Sequence, residues 1–472
     1  MKIKNYKLKI EKLTLLIFPL IFVVTTLLFY PSFNYYFFQD DWFVLNWVQT
    51  GNLASFFSFR PDVIYWRPIS MPLFFKYSRL LFDFNPSGFH LVVFLSHLAN
   101  IILIYVLFRQ LKLSQKISLL SSFLYGTAAF HFVPLSWLAT TSYVLGPTFI
   151  LAALTLFLKE RIIGSFILFL ASLATSEFTL TILPIALIVG GKARTNFKRL
   201  LPFGLVAAVY LLARFVVVPI PATGQYEISL QPKILTNLAW YFLWIFNFPE
   251  KMATIFFFAN PAASLAVVLP FARLLILPLL LILIFVVVIF KSRTSFEKLF
   301  RGFGWFLAGI TPVIFLPNHA YPMYLVIASL GILYILAVGL DKLKIFANLI
   351  IAVFAISWLL SSLLTISFSR KNHWISNEQA ISRAYVEYTR MKVKDPSAGS
   401  IFIFKPADLV FSQKNKFTLV ETEDNVKQVL NGDDAMQVFY NDSTIKSYYL
   451  THQQEIDFPA SLPIFVIAPT LE

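Results

Sequence analysis

Cysteine is absent from this chain, and acidic side chains are scarce: 24 in 472 residues. The first absence excludes disulfides, thiolate metal sites and cysteine nucleophiles. Charged residues of both signs make up 13%, where soluble domains carry about 25%. Nucleotide-cradling loops are missing too. "GGKAR" lacks the glycine spacing and the Ser/Thr of a P-loop, and no HExxH zinc motif occurs. There is no internal repeat of solenoid period.

Hydrocarbon fills the chain instead. Hydrophobic residues reach 58%, 52 of them Phe, and the mean hydropathy is +0.72. Several runs of roughly 17–25 apolar residues are long enough to cross a bilayer core of about 30 Å. In that solvent the backbone must satisfy itself, so the runs are predicted to be helices. The net charge of +15 sits in short loops between them: "RQLKLSQK", "GGKARTNFKR", "KSRTSFEKLFR" and "DKLK". That is the positive-inside pattern. No basic face with interleaved stacking aromatics occurs on a soluble segment, so nucleic acid is excluded as a partner.

The predicted fold is an all-α polytopic membrane protein with about 11 transmembrane helices: 13–30, 89–108, 117–133, 141–158, 162–175, 178–190, 200–218, 271–290, 302–317, 321–340 and 345–367. The fifth and sixth are short for full spans and also fit a partly penetrating hairpin. "MKIKNYKLKIEK" before the first helix, and bulky "YPSFNYYFF" after it, argue for an uncleaved helix with a cytoplasmic N-terminus. Outer loops are expected at 31–88 and 219–269, both with interfacial helices, among them "DDWFVLNWV", "RPISMPLFFKYSRLLFDF" and "ILTNLAWYFLWIFNF". From Ser369 to Glu472 the chain turns polar. Helices in "SNEQAISRAYVEYTRMKV" and "ETEDNVKQVLNG", and strands in "SIFIFK", "MQVFY" and "LPIFVIA", predict a small α+β domain outside the membrane.

Acids are so few that elimination narrows the chemistry. The expected outer face keeps Asp40, Asp41, Asp62, Asp83, Glu177, Glu227 and Glu250. Asp40 and Asp41, in "FFQDDWFVLNW", are the best pair. Two adjacent acids at partly apolar depth repel, which raises one toward the range of a general base. Acids at a helix N-terminus also cap it, and the two roles can coexist. Arg67, in "YWRPIS" next to Trp66, is a candidate for a lipid phosphate, with a snorkelling interface Arg as the plain alternative. Glu177 lies between apolar helices, a costly place for an acid without a partner or a function. His90, His97 and Asn100 share one face of the second helix; the two imidazoles are about two turns apart, too far to bind one ion. Hydrogen bonds between helices suit His97 and Asn100 better. His319, Tyr321 and Tyr324, in "PNHAYPMY", face outward and suit contact with phosphate or sugar.

Taken in order, "FFQDDW", "YWRPISMPLFF", "GFHLVVFLSHLANIILIYVL", "LASLATSEFTLTILPIALIV" and "PNHAYPMYLVIASLGILY" resemble the GT-C superfamily of polytopic glycosyltransferases. The likeness is to its protein O-mannosyltransferase and aminoarabinose-transferase types and covers about residues 10–365. Ser176 stands where Lys is common in those enzymes, and His319 where an Arg often precedes the tyrosines. The resemblance implies a membrane glycosyltransferase that moves a monosaccharide from a polyprenyl-phosphate donor to a hydroxyl of a glycan, lipid or protein. Asp40 or Asp41 would be the base, and Arg67, with His319 or Tyr324, would hold the leaving phosphate. Trp66, His90, Glu177 and Tyr321 join the substrate-binding candidates. Some similar enzymes use a divalent cation at the acidic pair, so Asp40 and Asp41 are also the metal candidates. The implied setting is a bacterial plasma membrane with the C-terminal domain extracytoplasmic. The competing classes are a lipid-glycan flippase or transporter and an O-antigen-polymerase-like protein.

Overall fold

A computed structural model describes residues 12–60, 63–190, 193–218, 224–255, 269–343, 347–415, 422–454 and 463–470. The basic leader before Lys12, Asp62, Lys192 and parts of the 219–269 segment lie outside the described residues.

Among the described residues, seven helices are long and apolar enough to cross a membrane. They are α1 (Lys12–Phe29, continued by a 3-10 turn), α4 (Pro86–Gln110), α7 (Ser142–Leu158), α10 (Ala193–Val217), α12 (Ala272–Ser292), α14 (Leu325–Lys342) and α15 (Ala347–Asn372). The chain is therefore a membrane protein. The other four expected spans take different forms. Residues 117–133 are α5 (Gln115–Gly126), a 3-10 turn and α6 (Phe132–Ser136), bent by 45°. Counting that bent pair as one span gives eight. The two short segments become α8 (Ile162–Leu173) and α9 (Ile182–Val189), which follows a 3-10 turn at Glu177. The last, α13 (Phe296–Ile314), carries Glu297, Lys298 and Arg301 in its first turns, leaving less than a full apolar length.

α13 and α14 pack closest where both lack side chains. A Cβ on Gly309 would lie 2.6 Å from the Ala328 Cα, and one on Gly331 would lie 2.3 Å from the Gly302 carbonyl oxygen. Small residues let backbones approach in a bilayer, where dispersion between helices replaces the hydrophobic effect. α14 is buried at every residue from Leu325 to Leu340. As expected, His97 and Asn100 tie helices together: His97 Nε2 lies 2.9 Å from the Gly126 carbonyl, and Asn100 donates to the Val144 carbonyl at 2.9 Å.

"DDWFVLNWV" is α2 (Asp40–Thr50). It does not lie free at an interface; its Trp42, Val44 and Leu45 are fully buried, and it packs against the C-terminal domain. After a π turn, α3 (Phe74–Phe82) does expose Tyr77, Leu80 and Leu81. "ILTNLAWYFLWIFNF" is α11 (Lys233–Ile245), with Trp240, Tyr241 and Trp244 buried against the bundle rather than spread on a surface.

The C-terminal domain is α+β. It starts with α16 (Trp374–Lys392) and holds a three-stranded parallel sheet, order β2-β1-β3, of β1 (Ile401–Phe404), β2 (Lys446–Tyr449) and β3 (Ile464–Ile467). β1 is central and buried throughout, as its unbroken apolar run requires. Helix α17 (Glu423–Leu430) matches expectation, but "MQVFY" is not a strand. It forms α18 (Asp434–Tyr440), with an acid in its first turn and Asn441 ending it in the left-handed region. A five-residue apolar run carries no decisive period, and those end signals decide it.

Candidate functional site

The site forms where the 31–88 segment, the bundle and the C-terminal domain meet. The residue before the acidic pair is strained. Gln39 adopts φ 48°, ψ −123°, a region costly for any side chain but glycine. Two contacts from the C-terminal domain hold it there. Its N–H donates to the Val429 carbonyl at 2.8 Å, and its amide donates to the Glu378 carboxylate.

The structure separates Asp40 from Asp41. Asp41 is fully buried, and both of its oxygens are engaged: Oδ2 accepts the Phe38 N–H at 3.2 Å and Oδ1 the Ala139 N–H at 2.7 Å. Burial pushes its carboxyl well up, the two N–H donors pull it back, and the neighbouring Asp40 adds a smaller upward push. Asp41 thus ties the start of α2 to the loop before α7. Asp40, one residue earlier, faces a polar cavity of about 320 Å³. Burial raises its carboxyl above the ordinary range while the Arg67 charge opposes the rise. Each Asp41 oxygen thus accepts one backbone N–H. Among the described residues no group of three or more His, Cys, Asp or Glu is placed to bind a metal ion.

Arg67 and Glu177, separately expected at the site, come together as one unit. Arg67 Nε donates to Glu177 Oε2 at 2.8 Å, Nη2 donates to Oε1, and Nη2 also reaches the Tyr143 hydroxyl at 3.2 Å. Such a fork fixes the guanidinium plane. Burial works against the Arg67 charge, but Glu177 and the surrounding hydroxyls outweigh it and hold the group firmly protonated. The Tyr65 ring covers one face at 4.1 Å from the guanidinium carbon. Nη1 donates to no described residue.

On the other side of this unit lies a second, mostly apolar cavity of about 360 Å³. Leu211 and Phe215 of α10 and Ala308, Pro312 and Leu316 of α13 and its following turn line it, and Phe215 is exposed on the bundle's flank. The two cavities share Tyr65, Arg67, Tyr143, Tyr226, His319 and Tyr324. His319 packs on Tyr226 with ring centres 4.4 Å apart, and burial brings its imidazole down to about 4, so at neutral pH it is uncharged.

Of the other expected residues, Tyr321 lines the polar cavity and Tyr324 both. Trp66 does not line either; its indole donates to the Phe57 carbonyl at 2.8 Å and stacks on Phe59. His90 is buried in α4 and contacts the Tyr35 carbonyl at 3.1 Å, holding the loop ahead of α2. Sequence reasoning passed over Arg214, Tyr65, Tyr226, Glu378 and Trp374. Arg214 lines the apolar cavity, part-buried at the end of α10, with its guanidinium donating to the Val218 carbonyl at 2.7 Å. Its signal was there in "YLLARFVV": a lone cation inside an apolar run.

Compared with models of known protein families and with curated proteins, the chain matches none.

Proposed function

We propose that the protein is an integral-membrane glycosyltransferase that moves a monosaccharide from a polyprenyl-phosphate donor to an acceptor hydroxyl, with inversion at the anomeric carbon. The observation that carries this reading is the meeting of an apolar, flank-facing cavity and a polar cavity at one set of polar side chains, with Asp40 on the polar side. A donor of this class has the same division: an isoprenoid tail for the apolar cavity, a phosphate for the junction and a sugar for the polar cavity.

In the mechanism we draw, the acceptor oxygen attacks the anomeric carbon and its proton passes to the Asp40 carboxylate. The bond from that carbon to the phosphate oxygen breaks, and the leaving lipid phosphate takes the electron pair. The charge gathering on that phosphate is met by the free edge of Arg67 and by Arg214, while Tyr65 and Tyr226 donate hydrogen bonds. Glu177 neutralises one of the two guanidiniums and aims it, leaving one net positive charge for the anion. Groups fixed in this way stabilise developing charge without reorganising during the reaction.

The reading puts this junction on the outer face of the membrane, which the basic loops between helices support, with about eleven crossings if α8, α9 and α13 each cross. The sugar comes already activated on its lipid, which accounts for the lack of a nucleotide motif. The test is to reconstitute the full chain in liposomes with radiolabelled polyprenyl-phosphate monosaccharides. Transfer of label that is lost in Asp40→Asn supports the proposal. Passage of the labelled lipid across the bilayer without any transfer would establish the flippase reading instead.

A further inference from the structure

The polar cavity has walls the proposed chemistry does not use. Trp374, from the first turn of α16, meets Trp137 edge to face, with ring centres 5.2 Å apart and planes at 83°. Both indoles line the cavity. Beside them stand three planar hydrogen-bonding side chains: Gln39, Glu378 and Gln428. Glu378 uses one oxygen, Oε2, to accept from Gln39; its Oε1 has no partner among the described residues. Three of these five residues belong to the C-terminal domain.

This set of groups has one natural complement. A pyranose offers an apolar face of C–H bonds, which packs on the electron-rich face of an indole. Around its rim run vicinal hydroxyls that both donate and accept, and carboxyl and amide groups answer them in pairs. A lipid acceptor would need an apolar wall here, and that wall belongs to the other cavity. A peptide would be gripped largely through its backbone.

We infer that the acceptor is a carbohydrate, seated in the polar cavity against the Trp137–Trp374 corner with its hydroxyls held by Gln39, Glu378 and Gln428, so that the C-terminal domain supplies the acceptor subsite. The inference rests on the transfer reading and gives its acceptor a chemical class. Burial raises the Glu378 carboxyl to about 7, so near neutrality it both donates and accepts. The contact from Gln39 to this same carboxylate links sugar binding to the strained residue that precedes Asp40.

The test uses the full chain in lipid nanodiscs and three probes: a printed array of free oligosaccharides, a Ser/Thr-rich peptide and a long-chain polyprenyl phosphate. Wild-type protein is expected to bind a subset of the oligosaccharides and not the peptide. Glu378→Gln and Trp374→Ala should each weaken that binding by about tenfold or more, the loss expected at a central contact, with polyprenyl-phosphate affinity held. Trp374→Phe, which keeps a ring and tests against misfolding, should recover most of the loss. Binding of polyprenyl phosphate but of no oligosaccharide overturns the inference, as does binding of the peptide in its place. Unchanged sugar binding in both variants overturns it too. Oligosaccharide binding without polyprenyl-phosphate binding would leave the subsite standing and sink the donor assignment. Binding of neither sinks both.

Discussion

Substituting the two neighbouring acids one at a time should give opposite defects. In Asp41→Asn a buried carboxylate that accepts the Phe38 and Ala139 N–H groups becomes an amide with a single acceptor oxygen. One N–H then faces an NH2 group with no room to turn away. Leaving a buried donor unsatisfied costs about 1–3 kcal/mol. The Ala139 contact spans 98 residues, so its loss would free the start of α2, whereas loss of the Phe38 contact is local. The melting temperature of the purified protein should fall, with residual transfer roughly in proportion to the folded fraction. Asp40→Asn removes no described hydrogen bond and should melt as wild type. Its transfer rate should fall by about 10²–10⁴, the usual contribution of a general base. Scanning calorimetry in detergent and single-turnover transfer of a radiolabelled polyprenyl-phosphate sugar read the two axes independently. A stable, inactive Asp41→Asn beside an active Asp40→Asn would refute the division of roles.

The Arg67–Glu177 pair should behave as one unit: Glu177→Gln costs about 3 kcal/mol by stranding a buried guanidinium, and the double variant Arg67→Met, Glu177→Leu recovers much of that in a thermal melt while staying inactive. Arg214→Gln should leave the melt nearly unchanged and weaken polyprenyl-phosphate affinity about tenfold, as read by isothermal titration in nanodiscs. Glu378 is neutral in the folded chain up to about pH 7 but ionises at ordinary carboxylate pH when unfolded. Its contribution is therefore complete in acid and is lost as pH rises through about 7, up to about 3 kcal/mol in all. Melting temperature should decline across that window in wild type and decline less in Glu378→Gln. Gly309→Leu has no room against the Ala328 backbone and should prevent α13 and α14 from packing, seen as loss of folded protein on size-exclusion chromatography.

How much of this was legible beforehand follows the range of each interaction. Apolar length and loop charge are local, and they gave the long helices. "FFQDDW" stood out because acids are rare, yet nothing local tells Asp40 from Asp41. That distinction depends on the Ala139 N–H arriving from a distant loop. Arg67 and Glu177 were each suspicious alone, but their partnership crosses 110 positions. Arg214 was visible as a charge in an apolar run and was read only as part of a helix. The short helices α8 and α9 and the broken α5–α6 segment show the limit of counting apolar residues, since composition does not say where a helix bends. "MQVFY" shows the matching limit for strands.

α14 has one more consequence. It is enclosed by α12, α13, α5 and α7, yet the ribosome delivers it after some two thirds of the chain has already been inserted. α5, α7, α12 and α13 are therefore made before the helix against which they all pack. Nascent chains halted short of Leu325 should thus be recognised as unfinished and degraded.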